Sequence, residues 1–411
     1  AGALDKYNDV LKKTNISLAA NMTFYRRDSK GFLAELMEKM YEDRKFAKKK
    51  MIEAERDYEE TKDPDVKKRI SKWNNMQMAK KIQLNSAYGA LGNKYFRWFD
   101  IRFAEAITLS GQLAIKWVSQ DLNTYLNKIL KTNNKDYVIA NDTDSCYITL
   151  NDLVKKVMPN ETDNQKITKF LDQVCETKLQ EVIDKSYENL ADRMHAYAQR
   201  MFMKREAIAN KAIWIAKKRY ILNVYNLEGV AYSEPKLKLS GIEAVRSSTP
   251  KVCRDKIKES LKIVMNKDEA SIQKYIREFK EEFKQMKFEQ IAFPRGISDI
   301  QKWYAANKQP AKGTPVHVKG SINYNNIIDR KGLHYEKIGN GDKIRFAYLK
   351  EPNPYGFTVI AAPDTLPKEF GLTKYFDYDK QFEKAYLAPI SSILTAIGWS
   401  HERRSTLEAF F

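Results

Sequence analysis

Two aspartates stand two residues apart in the segment YVIANDTDSCYITL, residues 137–150. In an extended segment the side chains of Asp142 and Asp144 point to one face, so both carboxylates can hold one or two divalent cations. Oxygen-only ligands suit magnesium, and two such ions can stabilise the attacking and leaving oxygens of a phosphoryl displacement. The pair therefore indicates a metal site for nucleotidyl transfer. An ordinary aspartate-rich turn is the alternative.

A second candidate is a stripe of polar residues on a predicted helix. In KKIQLNSAYGALGN, residues 80–93, Lys81, Asn85 and Tyr88 recur at helical spacing and so share one face. The lysine can meet a triphosphate as a point charge, and a ring beside Gly89 can lie against a base pair. An amphipathic helix with a solvated lysine explains the same pattern without a ligand.

Several other basic residues suit a polyanionic partner. Arg44 and Lys48 lie four apart on a predicted helix, where like charges repel unless an anion sits between them. Lys217 and Arg219 share a face of the strand-like run that opens with KKRY, and a phosphate backbone can bind there. Arg246, in RSSTP, adds a cation of the kind that fixes register on nucleic acid. Each of these residues is equally compatible with a solvated surface.

The elements that must position these residues follow from the apolar spacing. Residues 31–81 predict two antiparallel helices joined near residue 63, because Pro64 interrupts a helix. Residues 90–130 predict a further helix. Residues 137–150 predict a strand hairpin with the aspartates at or near its turn, and strands follow in KKRYILNVYNLEGVAY and EPKLKLSGIEAV. Amphipathic helix returns over about 251–290. The chain should form a helical projection, a mixed core and a mixed C-terminal lobe.

Charge and composition narrow the class of protein. The 411 residues carry 72 Lys and Arg against 53 Asp and Glu, a net charge of +19, which favours a polyanionic partner. Three widely spaced cysteines give no disulfide framework or metal knuckle and fit a reducing cytoplasm. Four scattered histidines do not favour zinc. The sequence shows no P-loop, dinucleotide or serine-hydrolase motif, and no apolar stretch long enough to predict a membrane span.

Three motifs, in matching order and spacing, resemble those of the family B DNA polymerases. KKIQLNSAYGALGN resembles the K-x-x-x-N-S-x-Y-G motif, NDTDS followed by CYI resembles the Y-G-D-T-D-S hairpin, and KKRY resembles the primer-contacting motif. The similarity continues through MKREAIA, residues 203–209, and KLKLSGIEAVRSSTP, residues 236–250. It covers nearly the whole chain and is greatest to the replicative polymerases of T-even-type bacteriophages.

The resemblance implies an α+β fold of right-hand architecture, with helical-hairpin fingers, an antiparallel-sheet palm and a mixed, mostly helical thumb. The implied boundaries are a palm edge over 1–30, fingers over 31–88, palm over 89–245, thumb over 246–400 and a clamp-binding tail over 401–411. The implied activity is template-directed DNA synthesis with two Mg²⁺ ions, for which Mn²⁺ can substitute. The implied partners are primer-template DNA and deoxynucleoside triphosphates.

The family's site residues carry over onto matching positions of this sequence. Asp144 would be the principal catalytic metal ligand, Asp142 a carboxylate of lesser weight, and Glu206 a residue close to the metals. The other implied roles are triphosphate binding by Arg44, Lys48 and Lys81, contact with the nascent base pair by Asn85 and Tyr88, and DNA binding by Gly89, Lys217, Arg219, Tyr220, Lys236 and Arg246.

The sequence also departs from the family pattern. Asn141 replaces the glycine before the aspartate pair, Ala87 replaces a larger apolar residue, and Lys204 replaces an acid. The D-x-x-S-L-Y-P-S motif, which supplies the other essential aspartate, is not found in the 411 residues, and neither are the exonuclease motifs. We therefore expect half an active site, completed by a separate N-terminal polymerase and exonuclease chain. A truncated polypeptide and a non-catalytic DNA-binding subunit are the alternatives.

The C-terminal residues suggest one more partner. Leu407, Phe410 and Phe411 recur at helical spacing and resemble the aromatic peptides by which polymerases hold a sliding clamp. A tail folded onto its own body is the alternative. If the chain is phage-encoded, its expected location is the host-cell cytoplasm.

Overall fold

The computed structural model describes residues 9–402. These residues form two compact units. The first contains the chain up to Asn210 together with Val224–Lys236, and the second contains Lys211–Asn223 and the chain from Leu237 onward. Among the described residues, no helix is both long and apolar enough to cross a membrane.

The first unit contains a helical hairpin, with α1 over Phe32–Thr61 and α2 over Pro64–Leu91. The chain reverses between them because Lys62 adopts a left-handed conformation and Asp63 caps the next helix, accepting a hydrogen bond from the second residue of that helix. Pro64 occupies the first helical position, where its missing N–H costs nothing. The predicted break near residue 63 is confirmed.

The two helices run antiparallel along their length. Three pairs of side chains join them at successive levels: Asp57 with Arg69 at 3.2 Å, Phe46 with Trp73 at a ring separation of 5.9 Å, and Asp43 with Lys80 at 2.7 Å. Both helices bury few side chains, as expected of a hairpin that is rich in charged residues.

The next helix, α3, spans Ile101–Leu130. The prediction of continuous helix from residue 90 is wrong, because residues 92–100 are a loop. Gly92 ends α2, and the carboxylate of Asp100 accepts the backbone N–H of Arg102 and so starts a new helix. The helix therefore starts at its capping residue Asp100, although the apolar spacing alone predicts helix from residue 90.

The core of the first unit forms where α3 packs on α6, Gln180–Arg193. It contains Val118, Leu122 and Leu126 from α3 and Ile183 from α6. The hairpin of β3, Val138–Asp142, and β4, Ser145–Ile148, packs against α3. The remaining elements of the unit are β1 Ile16–Leu18, β2 Phe24–Arg26, α4 Asn151–Val157, α5 Asn164–Val174 and a π-helical segment Cys175–Leu179.

A three-stranded sheet follows, in the order β5-β6-β7, with strands Ala207–Ala216, Arg219–Leu227 and Val230–Ser240. The turn between the last two strands is Glu228–Gly229, and both residues have positive φ, the backbone of a two-residue hairpin turn. The sequence predicts the second and third strands but not the first, AIANKAIWIA, whose apolar residues alternate only in part.

The second unit combines helices with a second small sheet. Its strands, β8 Phe293–Gly296, β9 Lys343–Tyr348 and β10 Val359–Ala362, pair antiparallel in the order β10-β9-β8. Its helices are α7 Lys251–Asn266, α8 Glu269–Phe283, α9 Phe288–Ile291, α10 Val316–Lys331, α11 Tyr378–Phe382 and α12 Ala388–Ala396. Short 3-10 turns occur at Glu243–Val245, Ile300–Trp303, Lys368–Phe370 and Thr373–Tyr375, and a π segment at Glu383–Leu387.

The predicted α+β class is confirmed, since helices and small antiparallel sheets account for both units. The predicted helical region over about 251–290 is present as α7, α8 and α9. The three strands of 293–362 lie in the region predicted to be mixed and mostly helical. The assignment of fingers, palm and thumb stays a prediction.

Candidate functional site

The aspartate pair lies at the tip of the β3–β4 hairpin. Asp142 pairs with Ser145 across the hairpin, so Thr143 and Asp144 form a two-residue turn. Thr143 has φ of 55°, and the N–H of Asp144 donates to the carbonyl of Asp142 at 2.6 Å. Asp142 therefore ends β3 and Asp144 lies in the turn, so the extended segment that was predicted to point both carboxylates to one face is not formed. The hairpin itself, with its polar centre at the turn, is confirmed.

Hydrogen bonds from α3 hold the base of this hairpin. The amide oxygen of Asn123 accepts the backbone N–H groups of Tyr137 and Val138, both at 2.9 Å. This one side chain satisfies two donors at the point where the chain enters β3, because its oxygen has two lone pairs. The contact fixes the direction in which the aspartates are presented.

A second contact with α3 lies closer to the tip. The Ser119 hydroxyl donates to the carbonyl of Ile115 at 2.6 Å and accepts from the Asn141 amide at 3.1 Å. The Cys146 sulfur lies 3.4 Å from the same hydroxyl. Asn141 is one of the departures from the family pattern, and a glycine there could not make this contact.

The tip is also close to Tyr187 of α6. Burial, with the nearby charges of Cys146 and Asp144, raises the pKa of Tyr187 to about 12. The phenol is therefore neutral near pH 7, while Asp144 itself is exposed.

The two carboxylates at the tip are ligands of the type that magnesium prefers, but they are too few to hold two ions. Residues 9–402 contain no group of three or more His, Cys, Asp or Glu side chains placed to hold a metal ion. Glu206, predicted to lie near the metals, does not complete such a group with Asp142 and Asp144. The pair alone does not make a site for two ions, because hard cations need six or more oxygen ligands and two ions need carboxylates on both sides.

The predicted triphosphate ligands lie on the helical hairpin. Arg44 and Lys48 are half-buried on α1, and Lys81, Asn85 and Tyr88 are exposed on α2. Because Asp43 pairs with Lys80, the structure places Arg44 and Lys81 at the same level of the two helices. Two of the three predicted cations thus lie at a similar level along the hairpin. Gly89 has open space where a side chain would begin.

Lys48 has a protein partner that sequence reasoning missed. Its ammonium forms an ion pair with Glu228, at the turn between β6 and β7, at 2.5 Å. The backbone N–H of Glu228 donates to the carbonyl of Glu206 at 2.6 Å. Two predicted site residues thus meet one turn, over a sequence separation too large for any local pattern to reveal.

Lys236, predicted to bind DNA, is engaged in the same region. It forms an ion pair with Glu59 of α1, and its ammonium lies 3.8 Å from the centre of the Tyr232 ring. The hydrogen bond from Lys236 is the main cause that lowers the pKa of Glu59, and a second bond from Lys62 adds to it. Lys236 is partly covered by these two contacts.

The KKRY residues occupy a turn of the second unit. Residues 217–218 join β5 to β6, so the prediction that Lys217 and Arg219 share one strand face is wrong. Arg219 donates to both carboxylate oxygens of Glu243, at 3.0 and 2.8 Å, and Tyr220 is buried. Arg246 donates to the carbonyl of Gly241 at 2.9 Å. Lys217 is exposed on the turn between β5 and β6.

A buried arginine beside Glu206 also escaped sequence reasoning. The Arg205 side chain is 8% exposed, donates to Asn226 at 2.8 Å and forms an ion pair with Asp172. Its position fixes the start of β5. The remaining predicted residues, Leu407, Phe410 and Phe411, lie outside the described residues.

Comparison with known proteins identifies the class to which this fold and these motifs belong. A model of DNA polymerase family B matches residues 4–381. The chain is a member of the family B DNA polymerases.

Individual relatives refine this assignment. The DNA-directed DNA polymerase of Enterobacteria phage T4 is 35% identical over 351 residues, 82% of this chain and 39% of the relative. That of Escherichia phage RB69 is 32% identical over 349 residues, 82% of this chain and 38% of the relative. DNA polymerase 1 of Pyrococcus abyssi is 27% identical over 379 residues, 92% of this chain and 40% of the relative. The chain spans about two fifths of the length of these relatives.

Proposed function

We propose that this chain is the polymerase part of a DNA-directed DNA polymerase, which transfers deoxynucleotides to a primer 3′ end. Residues 31–88 would be its fingers, 89–245 its palm and 246–400 its thumb, with a palm edge over 1–30. The observation that carries the proposal is the hairpin with Asp142 and Asp144 at its tip, in a chain of this family.

The incoming triphosphate would bind to the helical hairpin. Arg44 and Lys81, at one level of the two helices, supply cations for its phosphates, and Asn85 and Tyr88 follow along the exposed face of α2. Lys48 can join them only by leaving Glu228. A triphosphate carries enough charge to compete for that ammonium, so exchange of partners would accompany nucleotide binding.

The catalytic centre would be shared with another molecule. Asp142 and Asp144 would supply one side of a site for Mg²⁺, or Mn²⁺, which would neutralise charge on the reacting phosphates. The other side would come from a polypeptide of the same source that carries the D-x-x-S-L-Y-P-S motif and the exonuclease, here called the N-terminal polypeptide. This part of the proposal is supported by the lack of a third carboxylate at the tip within residues 9–402.

Primer extension tests both parts of the proposal. The chain alone should bind primer-template DNA without extending it, and should extend it when the N-terminal polypeptide is added. Asp144→Ala should lower extension by the assembled enzyme by a factor of 10³ or so and leave DNA affinity within about twofold, because phosphate contacts supply most of that affinity. Glu278→Ala, at an exposed carboxylate of α8, is the control and should retain the wild-type rate.

Two results would contradict the proposal. Robust extension by the chain alone would exclude a shared centre. Tight DNA binding without extension, even in the presence of the N-terminal polypeptide, would favour a non-catalytic DNA-binding subunit.

The nucleotide site has its own test. Lys81→Ala should raise KM for deoxynucleotides about tenfold or more, because an ammonium that meets a triphosphate contributes a charge-assisted hydrogen bond. Lys68→Ala, at an exposed lysine near the start of the same helix, should leave KM unchanged. An equal effect of the two substitutions would show a general loss of positive charge and no specific site.

The tail would hold a sliding clamp through Leu407, Phe410 and Phe411. Deletion of residues 405–411 should reduce clamp-dependent processivity and spare incorporation of a single nucleotide. Equal loss of both activities would indicate that the tail stabilises the fold of its own chain.

A further inference from the structure

The two halves of α3 differ in which apolar side chains they bury. From Ala114 to Leu130, apolar side chains repeat every four residues and are buried, which is the pattern of a helix with one face in the core. Over residues 101–109 only the small residues Ala104 and Ala106 are buried. The large apolar side chains in this half are exposed: Ile101 by 51%, Phe103 by 38%, Ile107 by 50% and Leu109 by 39%.

These exposed side chains do not share one side of the helix. At roughly 100° per residue, Ile101 and Leu109 point to one side, and Phe103 and Ile107 to the opposite side. A helix that is apolar all round is stable when it is buried all round. The first half of α3 therefore has apolar side chains on opposite sides, as in a buried helix, and residues 9–402 leave the large ones exposed.

Neighbouring segments extend the exposed area. The Asn21 side chain donates to the carbonyl of Arg102 at 3.0 Å, which places the β1–β2 turn beside the start of α3. Exposed Met22 and Phe24 lie on that turn and its strand, and exposed Phe32 contacts Trp98 at a ring separation of 5.1 Å. We call this set the α3 apolar surface: Met22, Phe24, Phe32, Trp98, Phe99, Ile101, Phe103, Ile107 and Leu109.

The chemistry of this surface favours a protein partner over nucleic acid. Residues 101–110 contain two charged side chains, Arg102 and Glu105. The Arg102 guanidinium is held by both carboxylate oxygens of Asp100, at 3.0 and 2.6 Å. DNA binding needs cations directed at phosphates, whereas this surface offers hydrocarbon and aromatic rings. Exposed apolar patches of this kind mark sites of protein association.

The proposed division of the polymerase indicates which protein would bind there. The chain spans about two fifths of the length of each relative, so the N-terminal polypeptide of the proposed enzyme would be large enough to cover the exposed part of α3. All but three of the large apolar side chains exposed in residues 9–402 belong to the first unit, and the exceptions are Val245, Val316 and Tyr335. The exposed large apolar side chains are thus concentrated in one unit.

We propose that the α3 apolar surface is the docking site of the N-terminal polypeptide. The inference rests on the proposed division of the polymerase between two polypeptides. Phe103 and Ile107 would lie near the centre of the interface, where truncation or charge has the largest effect on affinity.

The test measures the dissociation constant between the full chain and the separately purified N-terminal polypeptide by biolayer interferometry. Phe103→Asp and Ile107→Asp should each weaken binding about 30-fold or more. Ile129→Asp introduces the same charge at a similarly exposed position in the second half of α3, and should change binding less than threefold. Both interface positions are solvent-exposed, so thermal denaturation should show all three variants folded.

The outcomes separate this proposal from the proposed activity. Asp144→Ala should bind the N-terminal polypeptide like the wild type. If the complex forms and depends on Phe103 but does not extend primers, the docking site is supported and the proposed activity is contradicted. Wild-type affinity in both interface variants, or no binding by the wild-type chain, would overturn the docking site. Self-association of the chain in sedimentation velocity that Phe103→Asp abolishes would overturn it too, because a second copy would then be the occupant.

Discussion

The contact between Ser119 and Asn141 gives a sharp prediction about the hairpin that carries the aspartates. Ser119→Ala removes the hydroxyl that accepts the Asn141 amide at 3.1 Å and leaves the rest of α3 unchanged. Asn141 is exposed, so its amide can return to water when the hairpin separates from the helix. The substitution should therefore favour local separation of the hairpin, without unfolding the unit.

Two effects of this substitution oppose each other and act on different equilibria. Loss of one hydrogen bond weakens docking of the hairpin by about 1 kcal/mol, which raises the local opening constant about fivefold. Alanine in a helix interior is favoured over serine by roughly 0.5 kcal/mol, and α3 is helical whether the hairpin is docked or open. The difference in helix propensity therefore does not change the free energy of local opening. It does offset part of the loss in the free energy of global unfolding. We expect more frequent opening at nearly constant melting temperature.

Cys146 reports local opening because its sulfur lies against Ser119. The alkylation rate of Cys146, followed by mass spectrometry of its peptide, should rise about fivefold in Ser119→Ala. Cys253 is fully buried in the second unit and serves as the internal reference. Gln120→Ala, at the next and exposed position of α3, is the control for a change of helix propensity and should leave both rates unchanged.

Asn141→Gly restores the residue of the family pattern and tests the same contact from the other side. It removes the hydrogen bond and adds a glycine to a strand, a further cost of about 0.5–1 kcal/mol, so opening should increase about 15-fold. The double variant should react no faster than Asn141→Gly, because both substitutions remove one shared contact. Unchanged labelling in Ser119→Ala, or additive effects in the double variant, would refute the reasoning.

Three further predictions concern stability, each measured by thermal or urea denaturation. Arg205→Met should lower the free energy of unfolding by about 2–3 kcal/mol. The loss is smaller than for a fully buried ion pair because Asp172 keeps access to water. A loss under about 1 kcal/mol would contradict this reasoning. Gly320→Ala should cost about 1–3 kcal/mol, because its Cβ would lie 3.0 Å from the backbone nitrogen of Ala361. Burial lowers the pKa of His317 below its usual 6.5, so the unfolded state binds more protons and stability should fall as pH drops from about 7 to 5. His317→Gln should reduce that fall, and an unchanged pH dependence would contradict the assignment.

The sequence contained enough information to predict the local elements that end at strong signals. Pro64 and Asp63 mark the turn between α1 and α2, and the polar NDTDS centre marks the tip of a hairpin. Both signals act over a few residues, so the surrounding fold does not override them. The helix that was predicted from residue 90 begins at Ile101, and its capping residue Asp100 is a sequence signal for that start.

Contacts between distant segments could not be predicted from the sequence. Lys48 meets Glu228 and Lys236 meets Glu59 across about 180 residues, and each pair depends on how α1 meets the β6–β7 turn. No spacing rule connects such positions. The types of the candidate site residues were therefore predictable, and their protein partners were not.

The hairpin that carries Asp142 and Asp144 depends for its position on a helix that is itself partly exposed. The β3–β4 hairpin has no third strand among the described residues, and an isolated two-stranded hairpin has little stability of its own. Its position depends on α3, through Asn123 and Ser119, and the first half of α3 is itself uncovered. Any polypeptide that covers the first half of α3 would restrain the helix on which the hairpin rests. Docking of the N-terminal polypeptide and completion of the metal site would then be coupled. The polypeptide that supplies the other carboxylate would also stabilise the position of the hairpin with Asp142 and Asp144.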